Sequence, residues 1–269
     1  MAVSFGVIWM FLMALFMTLL FPILLLIVLS VKKKISARPL GLGFASFFLS
    51  QILLRIPLLQ WCAGQQWYQD LAASAPIVVG LVLCFTAGLF EESARVGGAA
   101  LLGPRKPAYP GGPPRPGYRT WQGALSFGLG HAFCETILLV GLTHVNNLIL
   151  CVLLGLGQDT LAAFLPADQL DLVLEQFAAV TPSLILAGIL ERFSAVLFHL
   201  FATSLVFLAV AQKRWLLYPA AILCHTLFNC VALLPLGVWP METLLFLLAL
   251  GCAFLFWRSR RWFPAVANT

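Results

Sequence analysis

The chain has 269 residues, of which 61% are hydrophobic and only 10% charged, with a mean hydropathy of +0.98. A soluble domain is about half apolar and about a quarter charged, so this chain has too few charges to coat a water-soluble globule, and disorder is excluded as well. The net charge of +6 comes from 16 Lys and Arg against 10 Asp and Glu; in so apolar a chain it reads first as membrane orientation, not nucleic-acid binding.

A membrane-crossing helix needs about 20 apolar residues. The first such run covers 5–31. It lacks a basic leader and exceeds the ~7–15 residues of a secretory apolar region, so it predicts a span and not a cleavable signal. Lys32, Lys33, Lys34 and Arg38 separate it from a second run near 39–58. A third run covers about 71–101, and a Pro/Gly-rich loop follows over 104–120, with six of the 16 prolines in Pro104–Gly117. The fourth run spans about 121–145, and the apolar piece Val145–Gly157 either extends it or forms a helix of its own. Gln158–Glu175 mixes apolar and acidic residues and predicts an interfacial helix or re-entrant cap. Runs near 180–211, 215–236 and 238–257 complete the chain. The runs are continuous and not alternating, which excludes a β-barrel. The expected fold is an all-α polytopic membrane bundle of about seven transmembrane helices, or eight, forming a single integral-membrane domain over 1–269. No internal repeat of the kind found in many transporters is visible.

Basic residues are expected on the cytoplasmic side. With the N-terminus outside and the C-terminus cytoplasmic, the cytoplasmic segments hold Lys32, Lys33, Lys34, Arg38, Arg105, Lys106, Arg115, Arg119, Lys213, Arg214, Arg258, Arg260 and Arg261, 13 of the 16 cations. The outer segments hold none of these, but do hold Asp70, Asp159, Asp168, Asp171, Glu175 and Glu242. The split supports both the span assignment and the orientation. The seven cysteines are odd in number, irregularly spaced and mostly inside apolar runs, so they read as small buried hydrophobes and not as a disulfide framework or metal pair.

Seven charges remain inside the spans: Arg55, Glu91, Glu92, Arg95, Glu135, Glu191 and Arg192. His131, His199, His225 and Asn229 accompany them. An ionisable group at mid-bilayer costs at least ~2.5–3.5 kcal/mol on insertion scales, which makes each a functional candidate. On a helix, Arg95 shares a face with Glu91 and Glu92, His131 with Glu135, Glu191 and Arg192 with His199, and His225 with Asn229. Counting ~1.5 Å per residue from each cytoplasmic end places Glu91, His131, His199 and His225 at a common depth of roughly 15–18 Å. Two adjacent carboxylates with a histidine opposite form a general-base arrangement, and a histidine and asparagine one turn apart offer oxyanion donors. The sequence contains no serine nucleophile elbow, no His-Glu-x-x-His and no phosphate-binding glycine loop.

Glu91-Glu92-x-x-Arg95, Phe127-x-x-x-His131 and His225-x-x-x-Asn229 resemble the three-motif pattern of the CPBP (ABI, CAAX-protease-like) intramembrane peptidases. The finer match is to the YhfC-like membrane peptidases, through Phe90-Glu91-Glu92-x-x-Arg95, Gly128-x-Gly130-His131 followed by Glu135, and Glu191-Arg192 followed by His199. The motifs lie in the region of about 85–230. The resemblance implies hydrolysis of a peptide bond inside a bacterial plasma membrane, on a membrane-protein or peptide substrate. It implies that Glu91 and His131 activate water, that His225 and Asn229 hold the oxyanion, and that Glu92 and Arg95 support the site. The spacing departs from the CAAX-type pattern, with two residues and not three between the glutamates and the arginine, which leaves Glu91 or Glu92 as the base.

His199, Glu135, Glu191 and Arg192 are additional to that pattern. They admit a second mechanism, in which Glu91, His131, His199 and His225 ligate zinc, beside a metal-free glutamate mechanism. Other readings stand next to these. The same residues could form the relay of a proton- or ion-coupled transporter or survive in a non-catalytic membrane scaffold. Glu191-Arg192 reads as a structural ion pair, Arg55 as a snorkelling or carboxylate-neutralising cation, and His144 as a solvated or capping residue near the outer interface. Trp61, Trp67, Trp121, Trp215, Tyr218 and Trp262 read as an interfacial aromatic belt.

Overall fold

The computed structural model describes residues 4–263 except 105–106, 108–111 and 113–116. Arg105, Lys106, Arg115 and most of the Pro/Gly-rich loop therefore lie outside the described residues, as does the side chain of Asp168. The described residues are helical or irregular, with no strand among them. In chain order the helices are α1 (Phe5–Val31), α2 (Ala37–Ala63), α3 (Gln66–Ser74), α4 (Pro76–Leu101), α5 (Trp121–Leu156), α6 (Gln158–Ala162), α7 (Ala167–Ala179), α8 (Pro182–Gln212), α9 (Leu217–Leu233, its last turn 3₁₀) and α10 (Val238–Ser259). Among the described residues six helices, α1, α2, α4, α5, α8 and α10, are long and apolar enough to cross a membrane, and α9 is shorter.

One boundary differs from the sequence expectation, and one left open between two alternatives is decided. The third run is broken at Pro76: proline has no N–H to donate and suits the first helical turn, so α3 stops at Ser74 and α4 starts anew. Of the two readings of Val145–Gly157, the structure shows the extension of the fourth run. Val145 continues α5 to Leu156, and the helix ends where Gly157 takes a φ of 135° that only glycine adopts without strain. The mixed segment after it forms α6 and α7.

Burial is inverted relative to a soluble protein. Large apolar side chains such as Leu53, Leu54, Ile77, Val82, Phe85 and Leu247 are exposed, while Glu92 and Arg95 are 0% exposed. This is the distribution expected where lipid replaces water as solvent: apolar side chains lose nothing by facing outward, and charges must face each other. Trp61, Trp67, Trp215 and Trp262 are exposed, consistent with an aromatic belt. Trp121 and Tyr218 depart from it. The Trp121 ring stacks on Phe256 and its indole N–H donates to the Phe256 carbonyl at 3.0 Å, and the Tyr218 hydroxyl lies 2.7 Å from Ser93 Oγ. All seven cysteines are free thiols.

The chain forms two compact units. One comprises the residues up to Ile27 and Thr136–Phe193, and the other Val28–Glu135 and Ser194 onward. The first is built around Val7, Phe11, Ala14, Cys151 and Ile185, with Phe177 of α7 packed against them. The second has an apolar core in which Phe127 of α5 meets Phe207 of α8 edge to face, joined by Ala99, Leu102 and Ala221. In this unit α2 and the first half of α5 are pressed together at glycines. A Cβ on Gly43 would lie 2.0 Å from the Phe127 carbonyl oxygen, and one on Gly130 would lie 2.0 Å from the Leu40 carbonyl oxygen. Small residues at such crossings let backbones approach where no hydrophobic effect drives association. Arg38 and Arg119 donate to the last carbonyls of α4, at Leu101, Ala99 and Ala100, so part of the basic surplus caps a helix C-terminus.

Candidate functional site

The second unit gathers Glu91, Glu92 and Arg95 from α4, His131 and Glu135 from α5, His199 from α8 and His225 from α9. All except Glu135 are buried, and Glu135 is partly so. Two close approaches make this possible. Gly130 brings α5 against α2 immediately before His131, and Gly88, where a Cβ would lie 3.1 Å from His225 Cβ, lets α9 close on α4 one turn before Glu92.

Arg95 is the central cation. Its Nη1 pairs with Glu92 Oε1, and its Nη2 lies 3.4 Å from Glu91 Oε2 and 2.7 Å from His199 Nδ1. A guanidinium can only donate, so His199 Nδ1 accepts. His199 Nε2 therefore carries the proton and donates to Glu135 Oε2 at 2.7 Å. His225 is held in the same way from the opposite nitrogen: Nδ1–H donates to Glu92 Oε1 at 2.8 Å. Each of these imidazoles thus turns a protonated nitrogen to a carboxylate and its other nitrogen to Glu91, at 3.9 Å in both cases. His131 contacts Glu91 directly, with Nε2 2.9 Å from Oε2. Its Nδ1 lies 2.8 Å from the Ser46 hydroxyl, which is also 2.7 Å from the Gly43 carbonyl. Aromatic rings wall the cluster: Phe47 meets His131 edge-on, and Phe198 packs against both His199 and His225.

The donor set suits a metal ion. One ligand atom each from Glu91, His199 and His225 lie within 4.8 Å of one another, all three residues being buried. Two imidazoles and a carboxylate are a common zinc set, and ligand atoms bound tetrahedrally at ~2.0–2.2 Å stand roughly 3.3–3.6 Å apart; here His199 lies 3.9 Å from Glu91 Oε2 and His225 3.9 Å from Glu91 Oε1, within a spread of 4.8 Å, so the ligand atoms would draw together on binding. Glu92 and Glu135 would be the outer carboxylates that orient metal-binding imidazoles. Glu92 Oε2 and Arg95 Nε are buried without a hydrogen-bond partner among the described residues, so the cluster holds uncommitted polarity. His131, the fourth expected ligand, is bonded to Glu91 and falls outside this trio. Arg95 Nη2 holds the lone pair of His199 Nδ1, and an ion using that nitrogen would have to displace it.

Asn229 is half-buried one turn beyond His225, and no hydrogen bond joins it to the cluster among the described residues. Glu191 and Arg192 belong to the first unit and pair with each other, with the Glu191 side chain 43% exposed. His144, also in the first unit, lies against the Phe11 ring, with both ring nitrogens buried and without a hydrogen-bond partner among the described residues. Arg55 donates to the Leu83 carbonyl at 2.7 Å, Gln51 Oε1 at 3.1 Å and Thr86 Oγ1 at 3.3 Å, and its charge acts on the buried Glu91 carboxylate through space. Sequence reading missed Ser46, Phe47 and Phe198. The one available signal was the polar stripe Ser46, Ser50, Gln51 within an otherwise apolar α2. That stripe runs into a π-helical stretch, Phe48–Arg55, and a second one, Thr136–Gly141, begins directly after Glu135. Such stretches are frequent at functional sites.

A profile of the family described as YhfC intramembrane metalloprotease matches residues 17–250. The chain is 28% identical over 218 residues to the uncharacterized membrane protein YhfC of Bacillus subtilis, covering 80% of each chain. No solved structure matches. With its apolar helices, buried charges and a match over most of its length, the chain is an integral membrane protein and belongs to the YhfC intramembrane metalloprotease family.

Proposed function

We propose that the protein is a membrane-embedded, metal-dependent peptidase that hydrolyses a peptide bond of a membrane-protein or peptide substrate. The observation that carries this reading is the buried trio of Glu91, His199 and His225, each imidazole backed by its own carboxylate. The family description supports it. Glu91, His199 Nδ1 and His225 Nε2 would hold the metal. A bound divalent ion of the zinc class supplies a water of lowered pKa and polarises the scissile carbonyl. His131 is the residue suited to move protons. With the Ser46 hydroxyl donating to the Gly43 carbonyl, 2.7 Å away, Ser46 Oγ can accept from Nδ1–H, which leaves the Nε2 lone pair on the Glu91 side. Nε2 would take the proton of a water held beside Glu91, hold it in a hydrogen bond to that carboxylate, and return it to the leaving amine. Asn229, one turn from His225 and with no hydrogen bond to the cluster among the described residues, would donate to the oxyanion. Arg95 neutralises Glu92 and Glu91 in the resting site.

The chain would cross a bacterial plasma membrane seven times, with α9 as a short seventh span, the N-terminus outside and the C-terminus cytoplasmic, as the charge distribution supports. A metal-free glutamate mechanism is the second reading, favoured by the direct His131–Glu91 contact and by Arg95 on His199 Nδ1. Metal analysis of the purified protein separates the two. About one zinc-class ion per chain, with cleavage lost on chelation and restored by the metal, is expected. Cleavage of a substrate is expected to be abolished by Glu91→Gln and His225→Ala and reduced at least ~10²-fold by His131→Ala. Wild-type cleavage by all three variants overturns the site, and full activity in metal-free protein leaves the glutamate mechanism.

A further inference from the structure

Among the free thiols, two from different helices meet. Cys84 of α4 is buried, Cys230 near the end of α9 is half-buried, and their thiols interact across the contact between the two helices. Each alone is a small apolar side chain. As a pair they can be joined covalently, provided that the two backbones run close enough.

The neighbouring turns meet that condition. A Cβ on Gly80 would lie 2.7 Å from Leu233 Cδ2, and one on Gly88 would lie 3.0 Å from the Ile222 carbonyl oxygen and 3.1 Å from His225 Cβ. Rising numbers on α4 meet falling numbers on α9, so the helices are antiparallel, and Cys84 and Cys230 hold the middle of one continuous contact. A disulfide needs its two Cβ atoms about 3.5–4.5 Å apart. One turn away, at Gly88, the helices already approach more closely than that. Arg55 adds a charge. Its guanidinium donates to the Leu83 carbonyl and the Thr86 hydroxyl, in the turn that contains Cys84, and its charge acts on the Cys84 thiol. The attacking form of a cysteine is the thiolate, which an apolar interior disfavours and a neighbouring arginine favours.

We propose that Cys84 and Cys230 are a redox pair whose oxidation to a disulfide ties α9 to α4 beside the Glu/His cluster. The electron acceptor is a second disulfide, R–S–S–R. Half-buried Cys230 attacks one of its sulfurs, which breaks that S–S bond and releases the first R–S⁻. Cys84 then attacks the Cys230 sulfur of the mixed disulfide and expels the second R–S⁻. The two thiol protons end on the two R–SH formed, and the two electrons lost by the protein are gained by the acceptor. Glu91 and Glu92 follow Cys84 by roughly 10–12 Å along α4, and His225 precedes Cys230 by five residues on α9. The bond therefore fixes the separation of the two helices that supply these three residues, whereas the reduced chain leaves it to packing alone. The proposal does not depend on the peptidase reading.

The test uses the full wild-type chain in proteoliposomes, reduced and then treated with dithiodipyridine, an apolar disulfide. Remaining thiols are blocked with iodoacetamide and the peptides are mapped without reduction. The expected product is a Cys84–Cys230 link with no pyridyl group on either sulfur. The unfolding midpoint is expected to rise by roughly 5–15 °C on oxidation and to fall back with reductant. Cys84→Ala is expected to leave a pyridyl group on Cys230, and both Cys84→Ala and Cys230→Ala to abolish the rise. Recovery of Cys84 and Cys230 from the wild type unlinked to each other overturns the proposal. A link that leaves the midpoint unmoved or lower overturns it as well, because the contact would then have been distorted to make the bond. A rise that persists in either variant assigns the effect to another thiol and also overturns it.

Discussion

Two kinds of charged partner hold imidazoles of the cluster, and each makes a separate expectation. Glu92 and Glu135 face the outer nitrogens of His225 and His199. Loss of such an orienting carboxylate typically costs 10–100-fold in metal affinity. Glu92→Gln and Glu135→Gln are therefore expected to weaken zinc binding by about that factor, measured by competition with a fluorescent chelator in detergent. Zinc affinity equal to wild type in both would remove the outer carboxylates from the site. Arg95 is different, because it neutralises a carboxylate that is itself fully buried. Removing one partner of a buried pair costs about 3–5 kcal/mol, so Arg95→Met is expected to lower the unfolding midpoint strongly, and Glu92→Gln in the same chain to restore much of it. The sequence named these charged residues readily, since a carboxylate or histidine in an apolar span is conspicuous. It did not name Ser46 or Phe198. A serine or phenylalanine in a span is ordinary until its neighbour across the helix contact is known.

At the level of elements, the crossing of α2 and α5 depends on the absence of two side chains. A methyl group at Gly43 or Gly130 would overlap a backbone carbonyl oxygen, and backbone cannot rotate away as a flexible side chain can. Gly43→Ala and Gly130→Ala are expected to cost about 1–3 kcal/mol as overpacking. Because His131 follows Gly130 directly, catalysis is expected to fall further than stability alone would explain. Gly97→Ala and Gly188→Ala are the controls, for nothing lies within 4 Å of either added methyl. In helix interiors they are expected to be neutral or to stabilise by about 0.5–1 kcal/mol. Thermal unfolding in detergent checks all four, and equal behaviour of the two pairs would mean that the α2–α5 approach is not what holds His131. Hydrophobic runs made most of these helices legible beforehand. Their interruptions were harder to read: the break at Pro76 falls inside a continuous apolar run, and the π-helical stretches reflect local packing that periodicity does not report.

At the scale of the whole molecule the expectation concerns topology. In a Cys62→Ser background, Lys33→Cys and Arg214→Cys are expected to react with a membrane-impermeant maleimide only from the cytoplasmic side, and Asp70→Cys and Glu175→Cys only from outside. Reaction of Arg214→Cys and an Arg258→Cys variant from opposite sides would show that α9 does not cross and would reduce the bundle to six spans. α9 is shorter than the other spans, and the cations on both sides of the α9–α10 pair, Lys213 and Arg214 before it and Arg258, Arg260 and Arg261 after it, argue that both helices cross.

The sequence by itself determined that this is a helical membrane protein, near which ends its cations lie, and which charged residues cannot face lipid. Those properties follow from the cost of placing a charge or an unpaired peptide group in hydrocarbon, which acts on each segment separately. Only the tertiary structure decided that ligand atoms of Glu91, His199 and His225 lie within 4.8 Å of one another while His131 is bonded to Glu91 and Ser46, and that Glu92 and Glu135 serve different imidazoles. Helical periodicity fixes a residue's depth and face. Which faces meet, and at what distance, is set by the close approaches at Gly43, Gly88 and Gly130, between segments far apart in the chain.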